Sequence, residues 1–220
     1  MLAPDPSLNA DVPRAWTAPR PLQREAGWFQ SVGPHQVPPG KIIMINGASS
    51  SGKSTPARAV QNQLDEPFWH LSIDHLRENG VLPLDRVRAG DFVWKSMRPA
   101  FFQGFHNALP AIATAGNNLI VDHIVETREW MTTLLHLLGP FDVYFVGVHC
   151  PLAELERREL ARGNRRIGEA RNDFETIHDF VIYDLELDST MPAEGNAAAV
   201  IASWKQRKGP SAFKRMAAKY

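Results

Sequence analysis

The stretch "INGASSSGKST", from Ile45 to Thr55, follows the apolar run "KIIM" and constrains the chain more than any other feature. Gly47, Gly52, Lys53 and Ser54 satisfy the pattern GxxxxGKS, which average residue usage would give a chain of this length on the order of once in a hundred sequences. Lys41 to Asn46 reads as a short buried strand and Ser54 to Leu64 as a helix. Strand, glycine loop and helix together make a phosphate cradle. The glycines let the backbone fold back so that successive N–H groups point at phosphate oxygens, and the helix adds the positive end of its dipole. The expected nucleotide-binding loop is Gly47, Ala48 and the serines Ser49, Ser50 and Ser51, closed by Gly52, Lys53, Ser54 and Thr55. Lys53 would reach the β- and γ-phosphates of ATP, and the Ser54 hydroxyl would sit on Mg²⁺. Pro56 does not interrupt this helix, because a first-turn residue has no intrahelical partner for its N–H.

Downstream, apolar runs alternate with helix-length segments: "FWHLSID", "NNLIVDHI", "FDVYFVGVHC" and "FVIYDLELD". This alternation predicts an α/β fold of the phosphate-loop kinase type, three-layered, with a parallel sheet of about five strands and helices on both faces. Right-handed crossovers gather the strand ends at one edge, where ligands bind. Residues 1–40 hold eight of the 17 prolines, show neither helical nor strand periodicity, and read as an irregular arm. Residues 41–208 form the expected domain and residues 209–220 a C-terminal tail. Within the domain, 80–95 breaks the rhythm and is the candidate substrate-binding insertion, and 162–171 is the candidate arginine-rich lid. Met97, Phe101, Phe105, Leu109 and Ile112 repeat at helical spacing and are expected in the core rather than on a ligand.

Composition narrows the function classes. The 24 lysines and arginines equal the 24 aspartates and glutamates, and the only basic concentration is one arginine cluster, so nucleic acid is not an expected partner. No apolar stretch approaches the ~20 residues of a membrane span, and the N-terminus lacks the order of a signal peptide. The expectation is a cytoplasmic protein with no membrane partner. The single cysteine, Cys150, excludes an intrachain disulfide and sits where burial is its natural role. Self-association into a homo-oligomer stays open.

Four further groups carry chemistry. Asp74 ends the second apolar strand, on the edge that carries the phosphate loop. There it either takes the proton of an attacking hydroxyl or caps the segment "HLREN". Asp122 closes "NLIVD" and could hold Mg²⁺ directly or through water, as an acidic residue after a hydrophobic strand does. In "ERRELARGNRRIGEAR" the glutamates suffice to pair Arg157 and Arg158 on a helix face. Arg162, Arg165 and Arg166 flank the Gly163–Asn164 break, where guanidinium forks suit closure over phosphates. His75, Phe92 and Trp94 are the candidate substrate contacts, suited to a small, mostly uncharged hydroxyl compound.

Taken together, "INGASSSGKST", "SIDHL", "LIVDH", "VGVHCPLAELERRELARGNR" and "HDFVIYDLELDST" resemble the chloramphenicol phosphotransferase family of small kinases, within the adenylate-kinase-like group. The resemblance spans roughly residues 41 to 205 and leaves the arm uncovered. It implies ATP-dependent phosphorylation of a hydroxyl on a small molecule such as chloramphenicol, with Asp74 as the base and phosphate contacts from Arg162 and Arg165. One departure is that Asp122 is followed by His123, where the family leads one to expect a second carboxylate. A nucleotide or sugar kinase of the same fold would differ only in its acceptor pocket. A nucleotide-controlled switch would share the loop without any transfer, although the base-reading NKxD and DxxG motifs of guanine switches are absent from the sequence.

Overall fold

A computed structural model describes residues 37–162 and 167–219. The proline-rich arm over 1–36, including Trp28 and Phe29, lies outside the described residues. From Val37 onward the chain builds a five-stranded sheet in the order β2-β3-β1-β4-β5, with every pairing parallel. The strands are β1 (Ile42–Gly47), β2 (Phe68–Ser72), β3 (Asn118–His123), β4 (Val143–His149) and β5 (Leu185–Asp188). The five-stranded parallel sheet is the one the alternation of apolar runs predicts. The run "FVIYDLELD" contributes only its last four residues, and 180–184 form a connection held by Asp184, which accepts from Phe145 N at 2.9 Å.

Alternation along the strands divides the core in two. In a strand successive side chains face opposite sides of the sheet. Ile42, Met44, Leu119, Val121, Val143 and Phe145 therefore meet α4 (Trp94–Thr114), α5 (Arg128–Leu138) and α9 (Ala212–Ala217) on one face. Ile43, Ile45, Ile120, Tyr144, Val146 and Val148 meet α1 (Ser54–Gln63) and α8 (Ala193–Gln206) on the other. Strands covered on both faces read as continuous apolar runs, and this is why they were legible. Four residues of the expected stripe on α4 pack inward, Phe105 and Leu109 buried and Phe101 and Ile112 packed against the core, whereas Met97 is half-buried and outside the core cluster. No helix among the described residues is long and apolar enough to cross a membrane.

Two boundaries differ from the sequence reading. β2 ends at Ser72, and Asp74 lies in the first turn of α2 (Ile73–Glu78) rather than on the strand. The cap of that helix is the Ser72 hydroxyl, which accepts from Asp74 N at 3.3 Å. Residues 209–220 are not a tail: they contain α9, whose Phe213 and Met216 are buried beneath Phe145 and its neighbours. Apolar side chains at Phe213 and Met216, three apart on a helix capped by Ser211, supply the face that docks. Ala212 N is fixed on Asp184 at 2.6 Å. Truncating Phe213 to alanine empties a core position, a change that typically costs about 3 kcal/mol or more. A thermal melt of Phe213→Ala should show Tm lower by roughly 6 to 12 °C; an unchanged melt would return these residues to the status of a tail.

Candidate active site

The phosphate loop begins where β1 stops. A Cβ on Gly47 would lie 2.7 Å from Val148 O and 2.9 Å from Ser51 Oγ, so only glycine lets the chain turn there against β4. The turn is completed by two residues in the left-handed region, Ser50 at φ 64° and Gly52 at φ 88°. The Lys53 ammonium reaches back over the loop and donates to Ala48 O at 2.8 Å. Beneath it the Ser50 and Ser51 hydroxyls are buried with no hydrogen-bond partner among the described residues. Buried hydroxyls left unpaired in a loop of this shape fit an anion's oxygens better than an apolar filling.

The strand register brings the acidic residues to this loop. Ser72 pairs with Asp122, and Asp122 with Ile45, so the ends of β2, β3 and β1 are level. The Ser54 hydroxyl donates to Asp122 Oδ2 at 2.5 Å, and His70 Nε2 stands 3.6 Å from the same oxygen. Burial works to raise the Asp122 pKa, but His70, the Lys53 charge and the Ser54 hydroxyl outweigh it and hold the carboxyl below its ordinary value. An ionised carboxylate beside a hydroxyl, next to a phosphate cradle, fits Mg²⁺, which takes one or two protein oxygens and completes its shell with phosphates and water. No cluster of three or more carboxylate, histidine or cysteine ligands forms among the described residues, as a metal held by protein alone would require.

Asp74 faces the same space from α2, with Arg77 Nη2 3.6 Å from its Oδ1. A cavity of about 630 Å³ joins Lys53, Ser54, Asp74 and Asp122 and extends to Trp94 and Arg162. A second cavity of about 510 Å³ lies on the other side of the loop, against Pro56, Met191 and Ala193. The two share Ser50, Gly52, Thr55 and Arg162. Arg162, the last residue of α6 (Leu152–Arg162), is the cationic residue common to both among the described residues; Arg165 and Arg166 fall outside them. Of the three candidate substrate contacts, only Trp94 lines the larger cavity. His75 turns from it, because Ile73, Asp74 and Arg77 occupy the cavity face of the α2 turn and the His75 ring packs edge-on against His70 at 4.8 Å. Phe92 lies under the Arg86 guanidinium, 4.4 Å from its carbon, on the short helix α3 (Leu84–Arg88) side.

Several residues at the site carried no signal in the sequence. Arg158, assigned there to a solvated face, does pair with Glu154 but also donates to Ser51 O at 3.1 Å, bracing the loop. Glu159 is buried and accepts from Gly168 N and Ala170 N at 2.8 and 2.9 Å, joining α6 to the start of α7 (Glu169–Thr176). One turn on, the Asp173 carboxylate accepts from Ser49 N at 2.9 Å, tying α7 to the phosphate loop. Across the larger cavity Arg98 pairs with Glu126 and lies over the rings of Phe102 and Trp130. The contacts of Arg158 with Ser51, of Asp173 with Ser49 and of Arg98 with Glu126 join residues far apart in sequence, which spacing alone does not reveal.

The profile of the chloramphenicol phosphotransferase-like protein family matches residues 40–206. The chain belongs to that family. A Mycobacterium tuberculosis protein named "Putative O-phosphotransferase" is 33% identical over 200 residues, covering 82% of this chain and 89% of its own. Among solved structures, the APS kinase of M. tuberculosis in complex with AMPPNP and APS superposes with a TM-score of 0.59 at 21% identity, over 77% of this chain and 99% of that one. The tunicamycin resistance protein of Deinococcus radiodurans superposes at 0.55 and 16% identity, over 78% of this chain and 99% of its own. These two share the fold, that of a phosphate-loop kinase.

Beside the phosphate loop the Asp173 carboxyl has a distinct titration. Burial pushes it up to about 6, Ser49 N–H and the Lys53 charge opposing, Glu126 and Glu169 adding. The folded state thus holds its proton more tightly than the unfolded chain, whose value is near 3.8. The penalty for ionising Asp173 is absent below pH 4, grows between 4 and 6, and is complete above 6. Asp173→Asn keeps an oxygen for Ser49 N–H and removes the charge, so at pH 8 it should be more stable than wild type by on the order of 2 kcal/mol, and equal to it below pH 4. Urea unfolding of both proteins across pH checks this; a variant less stable at pH 8 would contradict it.

Proposed function

We propose that the protein is an ATP-dependent O-phosphotransferase that moves the γ-phosphate to a hydroxyl of a small, mostly uncharged molecule, with chloramphenicol as the leading case. One observation carries the reading. Two cavities meet across a phosphate loop, and Asp74, Lys53, Ser54 and Asp122 all line the larger one. A loop between two cavities suits a donor on one side and an acceptor on the other, since phosphoryl transfer needs attacking and leaving oxygens in line. The smaller cavity, with Pro56, Met191 and Ala193, fits a nucleoside, and the larger one fits the acceptor.

In this reading the loop N–H groups and Lys53 hold the β- and γ-phosphates, and Ser54 and Asp122 hold Mg²⁺, which when bound neutralises charge on the phosphates. Asp74 accepts the proton of the acceptor hydroxyl as its oxygen forms the new bond to γ-phosphorus. The bond from γ-phosphorus to the bridging oxygen breaks, and the electron pair leaves with ADP. Arg162, common to both cavities, stabilises the charge spread over the transferring group, with Arg165 as its companion. Arg98 and Arg77 have carboxylate partners in Glu126 and Asp74, so the acceptor side offers little net charge, which favours a neutral acceptor over a monophosphate.

Acceptor-dependent ADP release, measured with ATP and Mg²⁺ against chloramphenicol, its 3-deoxy analogue and nucleoside monophosphates, tests the proposal. Release with chloramphenicol but not with the deoxy analogue is expected; efficient turnover of a monophosphate would move the protein to the nucleotide kinases. Because Ser72 supplies the helix cap, Asp74→Asn should leave the melt nearly unchanged while lowering kcat by roughly 10²- to 10⁴-fold. An early melt with full rate would make Asp74 structural. Lys53→Ala should keep the fold and lose transfer; undiminished turnover would remove the loop from the mechanism.

A further inference from the structure

The larger cavity is lined by a histidine that the transfer step does not use. His123 is the last residue of β3, immediately after Asp122, and is 1% exposed. Its Nε2 lies 2.9 Å from Nε2 of His106 on α4, so one ring donates and the other accepts. Trp130 stacks on the His123 ring at 5.9 Å with an angle of 11°, and Phe105 packs at 5.1 Å. These neighbours fix the ring plane. The remaining polar atom, Nδ1, is buried with no hydrogen-bond partner among the described residues.

A core histidine with a purely structural role satisfies both nitrogens, because an unpaired buried nitrogen costs about 1 to 3 kcal/mol. Here one nitrogen is satisfied and the other is not, on a residue that borders the cavity. A rigid ring with one unpaired nitrogen is what a ligand contact requires before the ligand arrives. Phe102 and Arg98 border the cavity beside it, and Asp74 and Lys53 lie on the same cavity.

We propose that His123 reads the acceptor: its Nδ1 hydrogen-bonds a neutral hydroxyl or amide group of the acceptor molecule, beside the hydroxyl that faces Asp74. The inference rests on the kinase reading and adds to it a second recognition group on the acceptor. The class follows from the geometry of the pair. His106 and His123 share one hydrogen bond through their Nε2 atoms, so His123 Nδ1 is an N–H donor or a lone pair, depending on the tautomer. A hydroxyl or an amide can answer either state; an ammonium or a carboxylate can answer only one.

Two substitutions separate this role from a structural one. Asparagine places an amide atom where Nδ1 sits but cannot reach His106. Glutamine reaches toward His106 from the Nε2 position and leaves the Nδ1 position empty. Both variants and wild type are compared by melting and by steady-state ADP release with ATP, Mg²⁺ and a panel of chloramphenicol, hexoses and adenosine monophosphate. The expected result is that His123→Gln raises KM for the best acceptor at least about ten-fold, with KM for ATP unchanged, while His123→Asn stays within about three-fold of wild type. The reverse order, or two unchanged values, would leave His123 as a partner of His106 alone and overturn the inference. If His123→Gln fails to fold, His123→Asn decides: a retained acceptor KM supports the role and a ten-fold rise overturns it. Turnover of no panel compound by wild type would remove the kinase reading and this inference with it.

Discussion

Everything at the site hangs on the placement of β1. All six residues from Ile42 to Gly47 are buried, and the strand pairs in parallel with β3 on one side and β4 on the other. A one-residue slip in either pairing would exchange the faces of Ile42 and Ile43 between the two cores, so the register is strongly specified. That register sets where the strand ends. Gly47 then has to turn beside Val148, and the next residues wrap into the cradle that α1 completes. The level ends of β2 and β3 bring α2 and Asp122 to the same edge.

Around that edge the charges are held in pairs rather than left open. Ser54 engages Asp122, Arg77 lies near Asp74, Arg98 meets Glu126, and Asp173 rests on the Ser49 amide. Partly buried ionic groups persist when each has a partner, because an isolated charge out of water is costly. The same pairing ties the loop to its surroundings: Arg158 braces it from α6 and Asp173 from α7, with Glu159 joining those two helices. The phosphate loop is therefore positioned from α6 and α7 together, through Arg158, Glu159 and Asp173.

The glycine loop, the five apolar strands and the carboxylates near the ends of β2 and β3 were legible because each is a local signal. An apolar run, a glycine spacing or an acidic residue at a strand end does not depend on distant sequence. What escaped the sequence depends on which face of a helix turns inward. Asp74 and His75 are adjacent, yet α2 sends one to the cavity and the other to His70. Phe92 satisfies its ring with Arg86, a local pairing that the mixed charges of the segment concealed. Phe213 and Met216 form too short an apolar pattern to announce a docked helix. His123 was visible as a departure from the expected second carboxylate, but its partner His106 comes from a helix read as core. Arg165 and Arg166 stand outside the described residues.

The central claim is that the loop delivers a phosphoryl group to a hydroxyl oxygen rather than to water. Wild-type protein incubated with γ-labelled ATP, Mg²⁺ and chloramphenicol, followed by mass spectrometry of the small molecules, tests it most directly. The account predicts the label on the primary hydroxyl of chloramphenicol, in an amount that matches the ADP formed. Label found only in inorganic phosphate, or retained entirely in ATP, would contradict it.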